Sequence, residues 1–173
     1  VDPEFIAIEV AKDYLNPPGP GGVFPAQLVD FIQVGDDANT VPRIVVLDEV
    51  VTNQTGVDWT DYHWNVLDSG SVWFDVGLSS GFSVAPFTNK TFTDLHGFGD
   101  PNKATDLDAD GGVVYNNSSF FPGGAPGNGE LVIDVDLSGD APVSFLFKQF
   151  PTPEPASLML MIAGAVAVCA RRR

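Results

Sequence analysis

The sequence predicts an all-β domain, an antiparallel two-sheet sandwich or jelly roll, followed by a single C-terminal transmembrane helix. Three observations carry that expectation. Gly and Pro supply 18 and 14 of the 173 residues, a density hostile to long helices. Asp outnumbers Glu 18 to 5, and Asp favours turns where Glu favours helices. Apolar, β-branched and aromatic residues recur in short alternating runs between strong turn signals.

In chain order, candidate strands span residues 4–12, 27–34, 43–52, 61–67, 71–76 and 81–84, then 90–95, 112–115, 130–137 and 143–150. Asn16-Pro17-Pro18-Gly19-Pro20-Gly21-Gly22 separates the first two, Asn53-Gln54-Thr55-Gly56 closes the third, and Asp68-Ser69-Gly70 closes the fourth. A Gly/Pro-rich run over residues 121–129 precedes the ninth. The last two, Leu131-Val132-Ile133-Asp134-Val135 and Val143-Ser144-Phe145-Leu146-Phe147, read as a hairpin across Ser138-Gly139-Asp140. Short strands without intervening helices suit a sandwich or jelly roll. Residues 1–150 are read as this domain.

Charge divides the chain unevenly. The formal net charge is −15, but three of the eight cations are the terminal Arg171, Arg172 and Arg173. Residues 1–155 set 23 acids against five bases (Lys12, Arg43, Lys90, Lys103, Lys148), a net charge of −18. Such a body cannot supply the cations that phosphate contacts need, which excludes nucleic acid as a partner. It also disfavours an anionic lipid surface. The acidity is not that of a disordered chain, because 44% of residues are hydrophobic and 11% aromatic.

The sharpest change of composition falls near the C-terminus. Pro151-Thr152-Pro153-Glu154-Pro155 is a proline-rich break, expected to end the last strand. Residues 156–170 then run without a charge to the arginines. As a helix they rise about 22 Å, short of a hydrocarbon core of about 30 Å. By length alone this suits a buried core helix or a signal-type hydrophobic region. The arginines favour membrane insertion, because they can snorkel to the head groups and mark the cytoplasmic side. The body then lies beyond the inner membrane, and its export implies an N-terminal signal peptide outside this sequence.

Pro153-Glu154-Pro155, a short apolar helix over 156–170 and the arginine cluster at 171–173 together resemble the PEP-CTERM sorting signal. The resemblance covers about the last 23 residues; one small departure is Thr152, where many members carry valine. It implies export by a Gram-negative, polysaccharide-producing bacterium. It also implies recognition by an exosortase, an integral-membrane cysteine-dependent enzyme that cleaves near Pro-Glu-Pro and discards the rest. On this reading the sorting residues are Pro153, Glu154, Pro155, Arg171, Arg172 and Arg173. The alternative is a permanent tail anchor with an incidental Pro-Glu-Pro; the Leu-Pro-x-Thr-Gly motif of Gram-positive sortases is absent. Cys169 lies one turn from the arginines and reads as a small apolar residue, with acylation or a reactive role the alternative.

In the body, Trp59-Thr60-Asp61-Tyr62-His63-Trp64 is the densest aromatic cluster. As a strand it places Tyr62, Trp64 and Val66 on one face and Trp59, Asp61, His63 and Asn65 on the other. Residues 52–63 resemble a segment recurring in exported PEP-CTERM proteins, without indicating its role. Such aromatics are usually core, but Trp59 and Trp73 are also candidates for sugar stacking if exposed. His63 is expected to be a hydrogen-bonded strand residue.

Nucleophilic catalysis finds no support, since His63 and His96 lack a neighbouring cysteine or a G-x-S-x-G elbow. A carboxylate pair for glycoside hydrolysis cannot be chosen among 23 acids. Calcium is the candidate cofactor: Asp106, Asp108, Asp110 and Gly111 have the D-x-D-x-D-G order of a calcium loop. Asn117 stands where a bidentate glutamate would close an EF-hand, and a solvated acidic loop is the alternative. Function is therefore expected to be that of an exported non-catalytic surface or matrix protein that binds polysaccharide. The alternatives are a secreted glycan-active enzyme and a permanently tail-anchored periplasmic protein.

Overall fold

The computed structural model describes residues 5–34, 40–67, 70–123, 129–139 and 143–153. Within them, two sheets face each other. The first holds β1 (Ile6–Tyr14), β3 (Arg43–Asn53), β10 (Leu131–Val135), β5 (Val72–Asp75) and β7 (Lys103–Ala104) in that order, with β9 (Ser118–Phe120) also on β3. The second runs β2 (Gln27–Ile32), β11 (Ser144–Pro153), β4 (Trp59–Leu67), β8 (Asp106–Val114) and β6 (Asn89–Thr93). The expected all-β two-sheet architecture is what forms. The expected apolar helix at 156–170 lies outside the described residues, among which no helix is long and apolar enough to cross a membrane.

Period-2 alternation builds the core between the sheets. Tyr62, Trp64 and Val66 of β4 face inward, as do Leu107 and Ala109 of β8, Leu131 and Ile133 of β10, and Phe145 and Phe147 of β11. Edge-to-face aromatic pairs knit this layer, including Tyr62 with Trp64 at 4.7 Å and Tyr62 with Phe120 at 5.1 Å between ring centroids.

Two irregularities reset which residues face in. In the β1–β3 ladder Ile8 pairs with Val46 but Glu9 with Asp48, so Leu47 is an extra residue. Before this bulge Ile44 and Val46 point inward; after it Glu49, Val51 and Asn53 do. In the β4–β8 ladder Trp59 pairs with Val114 and Asp61 with Asp110, a shift that swings Trp59 to the core side. Gly111, at φ +76°, supplies the left-handed backbone this shift needs.

Several expectations are corrected. The last two strands do not form a hairpin: β10 lies between β3 and β5, and β11 between β2 and β4 in the other sheet. Each buries an apolar face from the opposite side of one core, which a shared ladder would not allow. Residues 81–84 are not a strand; a 3-10 turn at Leu78–Gly81 leads into a loop whose Phe82 and Val84 plug the core. Lys90 Nζ holds that loop by donating to the carbonyls of Ser79, Ser80 and Phe82 at 3.1, 2.8 and 2.8 Å. The acidic run 106–111 is not a loop but belongs to β8, which absorbs the expected strand at 112–115. The β1–β3 pairing is parallel, because the chain crosses to the second sheet as β2 before returning as β3.

The proline-rich segment also departs from expectation. β11 continues through Pro151, Thr152 and Pro153, paired with Tyr62, Asp61 and Trp59 of β4. β2 leaves β11 at Gln149, so beyond it β11 has a partner on one side only. A proline there removes no ladder bond on the open side.

Candidate functional site

The aromatic block divides between core and surface. Trp59 is fully buried, its indole against Tyr14 and Phe24 and its Nε1 donating to Thr55 Oγ1 at 3.2 Å. This overturns it as a sugar-stacking platform, and the β4–β8 register shift is the reason. Trp73 is half-buried, with Lys103 Nζ 3.5 Å from its ring centroid and Phe98 at its edge. The cation thus already occupies a Trp73 ring face.

The outward face of the second sheet gathers most of the polar chemistry. His63 Nδ1 lies 2.5 Å from Asp108 Oδ1 across β4 and β8, and Nε2 lies 3.4 Å from Asp61 Oδ1. Burial pushes the imidazole down, but hydrogen bonding to Asp61 and Asp108 and their charge outweigh it, so its pKa stands above the ordinary value. The His63 ring stacks on Phe150 at 4.6 Å, and Lys148 Nζ lies 4.4 Å from the Phe150 centroid. His63 is the hydrogen-bonded strand residue the sequence suggested.

Asp106, Asp108 and Asp110 share this face of β8 at i, i+2 and i+4, while Leu107 and Ala109 turn inward. Each carboxylate has its own partner: Asn65 Nδ2 at 2.6 Å for Asp106, His63 for Asp108, and Asn89 Nδ2 at 2.5 Å for Asp110. A calcium loop curls its ligands around one point, whereas a strand sets them in line. Among the described residues no group of three or more His, Cys, Asp or Glu side chains is placed to hold a metal.

A second polar cluster, not anticipated from the sequence, lies between the sheets. Lys12 of β1 and Glu49 of β3 form an ion pair at 2.8 Å, their side chains 8% and 0% exposed. Glu49 Oε1 also accepts from Gln149 Nε2 of β11 at 2.8 Å, and Oε2 from Trp64 Nε1 at 2.8 Å. Gln149 Oε1 accepts from Lys12 Nζ and, at 3.1 Å, from the Tyr62 hydroxyl. The Tyr14 hydroxyl donates to the Gln149 backbone carbonyl at 2.9 Å. Lys12 does sit in an inward register with Val10 and Tyr14, a signal present in the sequence. The Leu47 bulge hides the inward facing of Glu49 from any simple alternation.

At one end of the sandwich, apolar side chains line a cleft of about 330 Å³ between the sheets, including Ile6, Phe31, Ile44, Val135 and Phe145. At the other, β11 delivers the chain to Pro153. Thr152 N–H donates to Asp61 Oδ1 at 3.1 Å, and Pro151 is buried opposite Tyr62. Glu154, Pro155, Arg171, Arg172 and Arg173 lie outside the described residues. Residues 151–173 match the family model of the PEP-CTERM protein-sorting motif. The chain carries a PEP-CTERM sorting signal. The PEP-CTERM motif implies export and sorting to the cell surface, with an exosortase as processing partner. Its first residues are the last residues of a folded β-sheet. No curated protein and no solved structure gives a significant match to the chain.

Proposed function

We propose that this is an exported, non-catalytic surface or extracellular-matrix protein, delivered by the exosortase route and binding polysaccharide. The observation that carries the reading is the sorting motif at 151–173, continuous with the final strand of a β-sandwich. Before processing, residues 156–170 lie in the inner membrane as a helix, with Arg171, Arg172 and Arg173 cytoplasmic and the acidic body periplasmic. Cleavage near Pro153-Glu154-Pro155 removes the three terminal arginines, leaving a strongly anionic domain.

The polysaccharide reading is supported by the outer face of the second sheet. There Thr91, Asp106 and Asp108 offer hydroxyl and carboxylate groups beside the stacked His63 and Phe150 rings. Hydroxyl-rich chains are recognised by such mixtures of hydrogen-bonding groups and flat apolar surface.

Two measurements test the proposal. Glu154→Ala, or removal of the three arginines, should leave unprocessed precursor in the inner-membrane fraction. Wild-type gel mobility and surface delivery in both variants would overturn the tail reading. Retention of the domain on extracellular polysaccharide without hydrolysis products supports the binding role, and turnover abolished by mutating one carboxylate replaces it with a glycan-active enzyme.

A further inference from the structure

The buried cluster of Lys12, Glu49 and Gln149 has the parts of a condensation site. It brings an amine, a carboxamide and a carboxylate together in a dry layer, each on a different strand. Nothing in the sorting role requires this arrangement, and burying an ion pair is costly without full hydrogen bonding. Lys12 Nζ hydrogen-bonds the carbonyl oxygen of the Gln149 side chain, one covalent bond away from the carboxamide carbon Cδ. Glu49 Oε1 contacts both Lys12 Nζ and Gln149 Nε2 at 2.8 Å, and so touches the attacking and the leaving nitrogen together.

We propose that Lys12 and Gln149 condense into an intramolecular isopeptide bond joining β1 to β11, with Glu49 as the catalytic proton carrier. The lysine ammonium gives a proton to Glu49, and the neutral amine adds to Gln149 Cδ. The carbonyl oxygen takes up negative charge, which the Tyr62 hydroxyl stabilises from 3.1 Å. The Cδ–Nε2 bond then breaks as the Nζ–Cδ amide forms. Both protons lost from Nζ reach the leaving nitrogen through Glu49, which ends as the carboxylate it began. Nitrogen departs as ammonium, so atoms and charge balance with no oxidant or further reactant.

The surroundings favour each step. Burial pushes Lys12 below the ordinary lysine range, toward the nucleophilic neutral amine, against the opposing pull of Glu49. Trp64 Nε1 fixes the second carboxylate oxygen, which leaves Oε1 for proton transfer. Exclusion of water protects the reacting carbonyl from hydrolysis. The product ties the two sheets covalently in a chain whose single cysteine, Cys169, allows no intrachain disulfide.

The purified full chain, unfolded after maturation, should weigh one ammonia less than its sequence, or than its processed sequence. Proteolysis should yield a branched peptide joining Lys12 to Gln149. Full sequence mass with no branched peptide overturns the proposal. A deficit of one water, with the branch at Glu49, overturns the choice of Gln149. Glu49→Gln preserves the shape but cannot carry the proton, so it should show no mass loss; cross-linking equal to wild type removes Glu49 from the mechanism. Because the wild-type mass is decisive alone, a variant that fails to fold does not rescue the proposal. Tyr62→Phe should slow the loss of ammonia over time without abolishing it.

Discussion

The backbone N–H of Thr152 donates to Asp61 Oδ1 at 3.1 Å, fastening the sorting signal to β4 two residues before its glutamate. The same carboxylate oxygen lies 3.4 Å from His63 Nε2. One side chain thus binds the end of the domain and borders the polar face beside it. Asp61→Ala should cost about 1 kcal/mol, the usual worth of a hydrogen bond. It should also raise hydrogen exchange at the Thr152 amide, read by mass spectrometry. Unchanged protection at Thr152 would show that the β11–β4 ladder alone holds the strand end.

His63 makes stability depend on pH with a definite sign. Its folded pKa is raised above 6.5, so folding favours the protonated form. The stability it contributes is fully present below pH 6.5 and is lost as pH rises through the folded pKa. Melting temperature should fall across that interval in wild type and fall less in His63→Gln. Parallel curves for the two proteins would show that Asp61 and Asp108 do not favour the imidazolium.

The two candidate stacking residues should separate cleanly on substitution. Trp59→Ala opens a large core cavity and should destabilise by about 3–5 kcal/mol in denaturant unfolding. Trp73→Ala chiefly removes its contacts with Lys103 and Phe98, with a cation–π part of about 0.5–1 kcal/mol. Equal losses would mean that the half-buried Trp73 carries core packing as well.

Calcium should leave the melting temperature of the domain unchanged, with or without chelator. The carboxylates of Asp106, Asp108 and Asp110 stand in line along β8, each hydrogen-bonded to a different neighbour. A calcium-dependent rise that disappears in Asp108→Asn would require the strand to curl around the ion.

Alternation in the sequence was a good guide wherever a strand ran without interruption. Tyr62, Trp64 and Val66 face the core as their spacing demands, and β2, β3, β5 and β6 fall close to the expected segments. It fails at bulges, whose positions depend on partner strands distant in sequence. One extra residue at Leu47 turns Glu49 inward, and the shift opposite Gly111 turns Trp59 inward. At β8 composition misleads: aspartates and glycines suggest a turn, while Leu107 and Ala109 between them hold a strand against the core. The sorting signal was legible because its order is local. The Lys12–Glu49–Gln149 cluster was not, because it joins three strands across both sheets.

The position of β11 also governs when the domain can fold. β2 and β4 flank it, so the second sheet is split until this strand arrives between them. A chain made from its N-terminus meets β11 last among the described strands, just ahead of the sorting signal. Long-range pairing of this kind closes late. The second sheet can therefore close only once β11 has been made, so its completion and the arrival of the sorting signal fall together at the end of the chain's described strands.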